Sequence, residues 1–278
     1  MKQIAVFGHN GMAGHIVCRY LEEQGHTVIK VGRYGSDRIL DVEDTAQTRI
    51  LVSNLRGRVD YFINCVGLLV ADSEARPDRA ALVNSWFPQF LAQVTEKTPT
   101  KVIHLSTDCV FDGSVGRYAE SSPPTETNAY GRSKALGEIN NQKDVTFRLS
   151  IIGPEIRPKG TGLLNWVLTS DLKVLPGWTN AWWNGITTLQ LAKCLAQHIA
   201  NPVATGIYHL VNNDNRINKA YLIQKIISTY QLDKTVVRCE GPKSIDKTLV
   251  DTRQLVDFRI PNYDIMLDEL CHFSEQSS

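Results

Sequence analysis

The sequence predicts an α/β protein built on a doubly wound parallel sheet, with a smaller C-terminal region. Three observations predict it: a strand, glycine turn, helix and strand in succession at the start, further strand-like runs separated by helix-compatible sequence, and a change of texture after Gly153. The opening run KQIAVFGHNGMAGHIVCRYLEEQGHTVIKVGR is a βαβ unit, which forces its two strands to be parallel. Its helix offers Ala13, Ile16, Val17, Tyr20 and Leu21 at helical spacing, and Gly25 closes it. VDYFINCVG, KVIHLSTDCVF and VTFRLSII are the next strands, around residues 63, 105 and 148. After Gly153 come PEIRPKGTG and LPGWTNAWWNG, rich in proline, glycine and tryptophan, which sets a boundary between regions 1–153 and 154–278. Segments of the second region are free to return to the first sheet. There a capping box of Thr187 and Gln190 opens a helix carrying Leu191, Ala192, Leu195, Ala196 and Ile199, and two more helices follow around Tyr221 to Tyr230 and Ile265 to Phe273.

Composition narrows the function. Of 278 residues, 42% are hydrophobic and 21% charged, ordinary for a globular chain with a sizeable core. Thirty basic and 29 acidic residues give a net charge of +1, which gives no electrostatic case for nucleic acid or a membrane surface. A small molecule is the expected partner. Met1 runs straight into a strand and no apolar stretch has membrane-spanning length, so neither export nor insertion is expected. The six cysteines show no metal-ligand spacing, so no metal is expected and a reducing cytoplasm is the expected compartment.

The chemistry-bearing residues fall at strand ends. Gly8, Gly11 and Gly14 follow the first strand and open the first helix, where glycines permit a tight turn and let backbone N–H groups approach a pyrophosphate. This is the context of a Rossmann-type dinucleotide site; a plain connecting loop is the alternative. The end of the second strand, VIKVGRYG, offers Arg33 and no carboxylate, which favours the 2′-phosphate of NADP(H) over NAD(H), unless Arg33 is simply solvated. Asp41 and Val42 flank the adenine or end a strand in the ordinary way. Cys65, Val66 and Gly67 leave room for a cofactor at another strand end, or pack there. Cys109 lacks a nucleophile's partners and reads as lining or packing. Thr107 ends the strand near 105, and Tyr130 and Lys134 stand one helical turn apart in AYGRSKALGE. An ammonium beside a phenol favours phenolate, which would draw the tyrosine pKa from about 10 toward neutrality and suit it to acid–base work.

GHNGMAG, STDCVFDG and YGRSKALGE together resemble the extended short-chain dehydrogenase/reductase superfamily, and within it the dTDP-4-dehydrorhamnose reductase family. RPDRAALVNSWFPQFLA, with Asn84 and Pro88, and GRYAESSPPTETNAYG are similar to the same family, closely through about residue 155 and more loosely in WNGITTLQLAKCLA and GIYHL. The resemblance implies that Thr107, Tyr130 and Lys134 are catalytic, with Lys134 also holding the nicotinamide ribose. It implies a cofactor site of Gly8, Asn10, Gly11, Met12, Gly14, Arg33, Asp41, Val42, Cys65, Val66, Gly67 and Asn84 with Tyr130 and Lys134. Region 1–153 would bind the cofactor and region 154–278 a nucleotide sugar, with Asp108, Val110, Phe111, Trp178 and Trp183 at the substrate; the tryptophans stack on the base, or serve core or interface. The implied reaction is hydride transfer to the 4-keto group of a nucleotide-activated deoxysugar, with Tyr130 as proton donor. Two departures, Cys109 in place of a tyrosine and Asn184-Gly185-Ile186-Thr187 in place of a glycine-proline-threonine segment, leave the substrate open. So do two rival readings, an epimerase or dehydratase of the same superfamily and a cofactor-binding regulatory subunit. A homodimer is likewise left open.

Overall fold

A computed structural model of the chain describes residues 1–156 and 160–276. Strands β1 (Gln3–Phe7), β2 (Thr27–Gly32), β3 (Arg38–Ile39), β4 (Tyr61–Asn64), β5 (Lys101–Leu105) and β6 (Val145–Arg148) build the main sheet. The helices between them are α1 (Gly14–Glu23), α2 (Thr45–Leu55), α3 (Val70–Ala75), α4 (Pro77–Ala80), α5 (Phe87–Thr95) and α6 (Ala129–Leu136), and a π-helical stretch at Ala81–Trp86 joins α4 to α5. The region beyond contains β7 (Ile151–Ile152), α7 (Leu163–Thr169), β8 (Val174–Trp178), β9 (Ala181–Trp183), β10 (Ile186–Thr187) and α8 (Thr188–Ala200). It ends with β11 (Gly206–His209), β12 (Ile217–Asn218), α9 (Lys219–Thr229), β13 (Thr235–Cys239), β14 (Ile245–Asp246) and α10 (Tyr263–Glu275).

Seven strands form the sheet in the order β11-β6-β5-β4-β1-β2-β3, every pair parallel. The doubly wound sheet expected from the sequence is therefore present. Its order reverses at β1, which lies between β2 and β4, so the crevice for ligands opens beyond the carboxyl ends of β1 and β4. Period-two alternation fills both faces: Ile4, Val6, Tyr61, Ile63, Ile103 and Leu105 enter one core, Ala5, Phe7, Phe62 and Val102 the other. The first core is covered by α1, α8 and α10, and the second by α2 and α5, with the Phe7 ring edge-on to Phe62 and Phe87 at 5.3 and 5.5 Å.

Two features depart from the linear reading. VTFRLSII is not one strand: β6 stays in the main sheet, whereas β7 turns out of it to pair with β10, because the Leu149 and Ser150 carbonyls between them accept Asp108 N–H (3.1 Å) and Ile186 N–H (2.9 Å). Strand β11, far past residue 153, returns to pair with β6, and one core cluster runs through both regions. Of the expected capping box at the head of α8, the Thr187 half is present, its Oγ1 accepting Gln190 N–H at 3.2 Å, whereas the Gln190 side chain turns to Cys194 Sγ instead. Among the described residues, no helix is long and apolar enough to cross a membrane.

Arg148, on β6, makes a bidentate pair with Glu138 at 2.7 Å, their side chains 2% and 4% exposed. Removing one partner of such a pair strands a buried charge, which costs about 3–5 kcal/mol. Arg148→Met is expected to lose about that much in urea unfolding, with much of the loss recovered in the Glu138→Gln/Arg148→Met double variant. A single-variant loss below about 1 kcal/mol would show that the pair does not hold these elements together.

Candidate active site

The crevice at the reversal point is a cleft of ≈ 160 Å³ lined from four strand ends: Gly8, Asn10 and Gly11 after β1, Arg33 and Tyr34 after β2, Leu40 to Glu43 after β3, and Cys65 to Leu68 after β4. Gly8 takes a φ of 82°, and a Cβ there would come within 3.0 Å of Val66 N, so the turn demands glycine. Gly14 acts from beneath, since a Cβ on it would overlap the Gly8 carbonyl as α1 packs against the turn. Asn10 Nδ2 donates to the Tyr34 carbonyl at 2.6 Å, tying the glycine turn to the β2 end. Arg33 is exposed at the rim, 5.9 Å from the Tyr34 ring centre, while Asp41 accepts Glu43 N–H at 3.1 Å. The Met12 methyl packs against Gly162, where a Cβ would lie 2.7 Å away.

The sequence reading missed Tyr34, Leu40, Glu43 and Val83 on the cleft wall and His9 beneath it. Buried His9 bonds Ser36 Oγ at 2.7 Å, and Glu43 is held below the usual carboxylate range by its bidentate pair with Arg79 from α4. Glu43 sits in the LDVED run beside two named residues; its Arg79 partner has no local signal.

Where β5 ends, Thr107 caps a short 3₁₀ turn, its Oγ1 accepting Cys109 N–H at 3.1 Å and donating to Asp108 at 3.1 Å. Tyr130 sits in the first turn of α6, capped by Asn128, which accepts Gly131 N–H at 2.7 Å. Lys134, one turn later, is buried and donates to the Leu105 carbonyl at 2.7 Å. A Cβ on Gly67 would lie 3.9 Å from Lys134 Nζ and 3.6 Å from Asn84 Oδ1, so the cleft wall reaches this group. Asn84 comes from the π-helical turn, a feature frequent at functional sites, and is fixed by Ser133 Oγ (3.1 Å) and Leu68 N–H (2.8 Å). Thr107, Gly67, Asn84 and the Tyr130/Lys134 pair of α6 are thus gathered from four separated segments.

The electrostatics correct one expectation. Burial holds the Tyr130 phenol above its ordinary value, with the nearby Asp108 adding to the shift and the Thr107 hydroxyl opposing it. Lys134 does not draw it down: its ammonium is committed to Leu105, and burial lowers its own pKa to about 8. Burial also pushes the Cys65 and Cys109 thiols up to about 12, so both stay protonated packing groups.

On the substrate side, Asp108 stands at the site, buried against Thr107. Val110 and Phe111 do not line it, contrary to expectation. Both are wholly buried in a satellite core with Val211 and Leu249, where Phe111 stacks on Tyr118 at 4.1 Å. Trp183 also proves to be a core residue, stacked 5.5 Å from Tyr263 with its indole N–H donated to Ser150 Oγ at 2.8 Å. Trp178 is 39% exposed on β8, outside the cleft lining. Among the described residues, no group of three His, Cys, Asp or Glu side chains is placed to hold a metal ion.

Fold and site together define a doubly wound α/β protein with a ligand cleft at the sheet's reversal and a Thr/Tyr/Lys group at its end. The chain belongs to the RmlD substrate binding domain family, whose model matches residues 1–153, covering the glycine turn, the β2 and β4 ends and the Thr/Tyr/Lys group. It is 39% identical over 187 residues to the "Probable low-salt glycan biosynthesis reductase Agl14" of Haloferax volcanii, spanning 62% of this chain and 58% of that one. It is 36% identical over 135 residues to the dTDP-4-keto-6-deoxy-D-glucose reductase of Streptomyces niveus, spanning 48% and 45%. These matches cover about half the length of the relatives. Among solved structures, dTDP-4-dehydrorhamnose reductase from Bacillus anthracis in complex with NADP superposes with a TM-score of 0.82 over 99% of this chain and 100% of that one, at 19% identity, which establishes a shared fold.

A core role for Trp183 is directly testable. Trp183→Ala is expected to cost about 3–5 kcal/mol of stability in denaturant unfolding, with Trp183→Phe costing much less. Wild-type stability in the alanine variant would return the indole to a ligand-binding role.

Proposed function

We propose that this chain is a reductase that uses NADPH to reduce the keto group of a nucleotide-activated sugar, most simply a 4-keto-6-deoxyhexose. The observation that carries this reading is the convergence of Thr107, Tyr130 and Lys134 beside Gly67 and Asn84, at the end of a cleft that begins at the glycine turn. The named activities of the relatives support it.

The cleft residues fit a nicotinamide dinucleotide. Gly8 and Gly11 bare the backbone for a pyrophosphate at the head of α1, and Asp41 and Val42 flank the adenine. Arg33, exposed and in no ion pair among the described residues, takes the 2′-phosphate, so NADP(H) is preferred to NAD(H). The cofactor supplies the hydride. Tyr130 donates the proton to the developing alkoxide; a phenol held above its ordinary pKa carries that proton throughout the physiological range. Thr107 donates to the same oxygen by turning its one O–H away from Asp108, and Lys134 places positive charge beside it and holds the nicotinamide ribose. The region after residue 153 selects the sugar nucleotide by closing over the carboxyl edge of the sheet.

The test is NADPH consumption with a panel of nucleotide 4-keto-6-deoxysugars. Tyr130→Phe is expected to lose about a hundredfold to ten-thousandfold in kcat while binding NADPH within about threefold of wild type. Near-normal turnover in that variant would sink the assignment of Tyr130. Sugar conversion without net NADPH consumption would replace the reductase with an epimerase or dehydratase.

A further inference from the structure

One charged residue from the C-terminal region reaches the segment that leads into α6. Lys247 follows β14, and its side chain is only 19% exposed. Its ammonium pairs with Glu126, itself 14% exposed, at 3.0 Å. Burial works against the charged form of Lys247, yet its acidic neighbours, with Glu126 in direct contact, outweigh it and hold its pKa above the ordinary value.

Glu126 touches both halves of the site, its own N–H donating at 3.0 Å to the Val110 carbonyl at the end of the Thr107 turn. Glu126 accepts the N–H groups of Thr127 (2.9 Å) and Asn128 (3.4 Å), the two residues that lead into α6, and Asn128 is that helix's cap. Its side chain also packs so closely on the first turn of α6 that a Cβ on Gly131, next to Tyr130, would overlap it. Asp108, on the other side, receives the Thr107 hydroxyl. Lys247 is itself anchored. Asp246 N–H donates to the Gly113 carbonyl at 2.8 Å, Thr248 O accepts Tyr118 N–H at 2.9 Å, and Leu249 exchanges two bonds with Asn184 at 2.7 and 3.0 Å.

We infer that Lys247 is a positioning residue, a clamp by which the C-terminal region holds the Thr107 turn and the head of α6 in the one arrangement that lets Thr107 and Tyr130 address the same oxygen. A solvated ion pair would be worth little, but this pair is largely screened from water and adds to the short Tyr118–Leu249 bridge between the same two segments. The inference rests on the proposed roles of Thr107 and Tyr130, and it makes their alignment depend on a segment far from either in sequence.

The experiment pairs hydrogen exchange with kinetics in the full chain. Lys247→Met is expected to speed amide exchange about tenfold or more in the peptide spanning the head of α6, leaving the β1 and β4 peptides unchanged. With a reducible sugar nucleotide it should lower kcat about tenfold or more, while the dissociation constant for NADPH stays within about twofold. Glu126→Gln should reproduce both effects, Lys247→Arg should restore them in large part, and the double variant with Lys247→Met should be no worse than either single one. Wild-type exchange at α6 in both Lys247→Met and Glu126→Gln would overturn the clamp. If the wild-type chain reduces no sugar nucleotide, the proposed function fails, and the exchange measurement still decides the clamp on its own. Should Lys247→Met not fold, Glu126→Gln carries the same measurement.

Discussion

The ammonium of Lys134, held away from water 2.7 Å from the Leu105 carbonyl, is the interaction around which the site is organised. A buried cation facing a neutral carbonyl is poorly compensated, and the group responds by holding its proton less tightly. Glu138, one turn further along, favours the charged form, yet its carboxylate is spent on Arg148 and on the Ser106 hydroxyl at 2.7 Å. The same acid thereby joins the segment after α6 to the residue that precedes Thr107. The bond to Leu105 draws α6 against the end of β5, and everything that touches the lysine must fit that approach. Gly137 is one such fit: a Cβ there would collide with the Asn84 carbonyl.

Most of the supporting structure serves to present that edge of the sheet. Alternate residues of β1, β4 and β5 enter two separate cores, which fixes register and leaves their carboxyl ends level. The glycine turn then lies against the β4 end, and the π-helical turn swings Asn84 between Leu68 and Ser133. The C-terminal region contributes from two directions. Through β11, α8 and α10 it completes the main sheet and its first core, and through Lys247 it reaches Glu126 at the head of α6. A chain organised this way has no mechanical break at residue 153, although its texture changes there.

What could be read from the sequence was local. The face of α1, the capping of α8 by Thr187, the glycine turn and the Tyr130/Lys134 spacing depend on neighbours within one or two turns, and each signal survives without tertiary information. What could not be read depended on contacts distant in sequence. VTFRLSII looks like one strand because nothing in it announces that the Ser150 carbonyl will meet Ile186. Phe111 and Trp183 look like ligand-facing aromatics until Tyr118 and Tyr263 arrive to cover them. The pairings of Glu43 with Arg79 and of Glu126 with Lys247 were invisible for the same reason. Even the pair that was found misled on electrostatics, because spacing says that a lysine is near a tyrosine but not what else that lysine bonds.

The pH dependence of kcat/KM tests the central claim most directly, because it reports the ionisation of groups in the free enzyme. Burial pushes Lys134 from its ordinary value of 10.5 down to about 8, so its charge is lost as pH rises through that range. Tyr130 is shifted the other way and keeps its proton to higher pH. Reduction of a nucleotide 4-keto-sugar by NADPH should therefore decline as pH rises through about 8, well before any tyrosine ionises. A profile that stays level until the ordinary tyrosine range near 10 would contradict a buried, weakly basic Lys134 at the heart of the site.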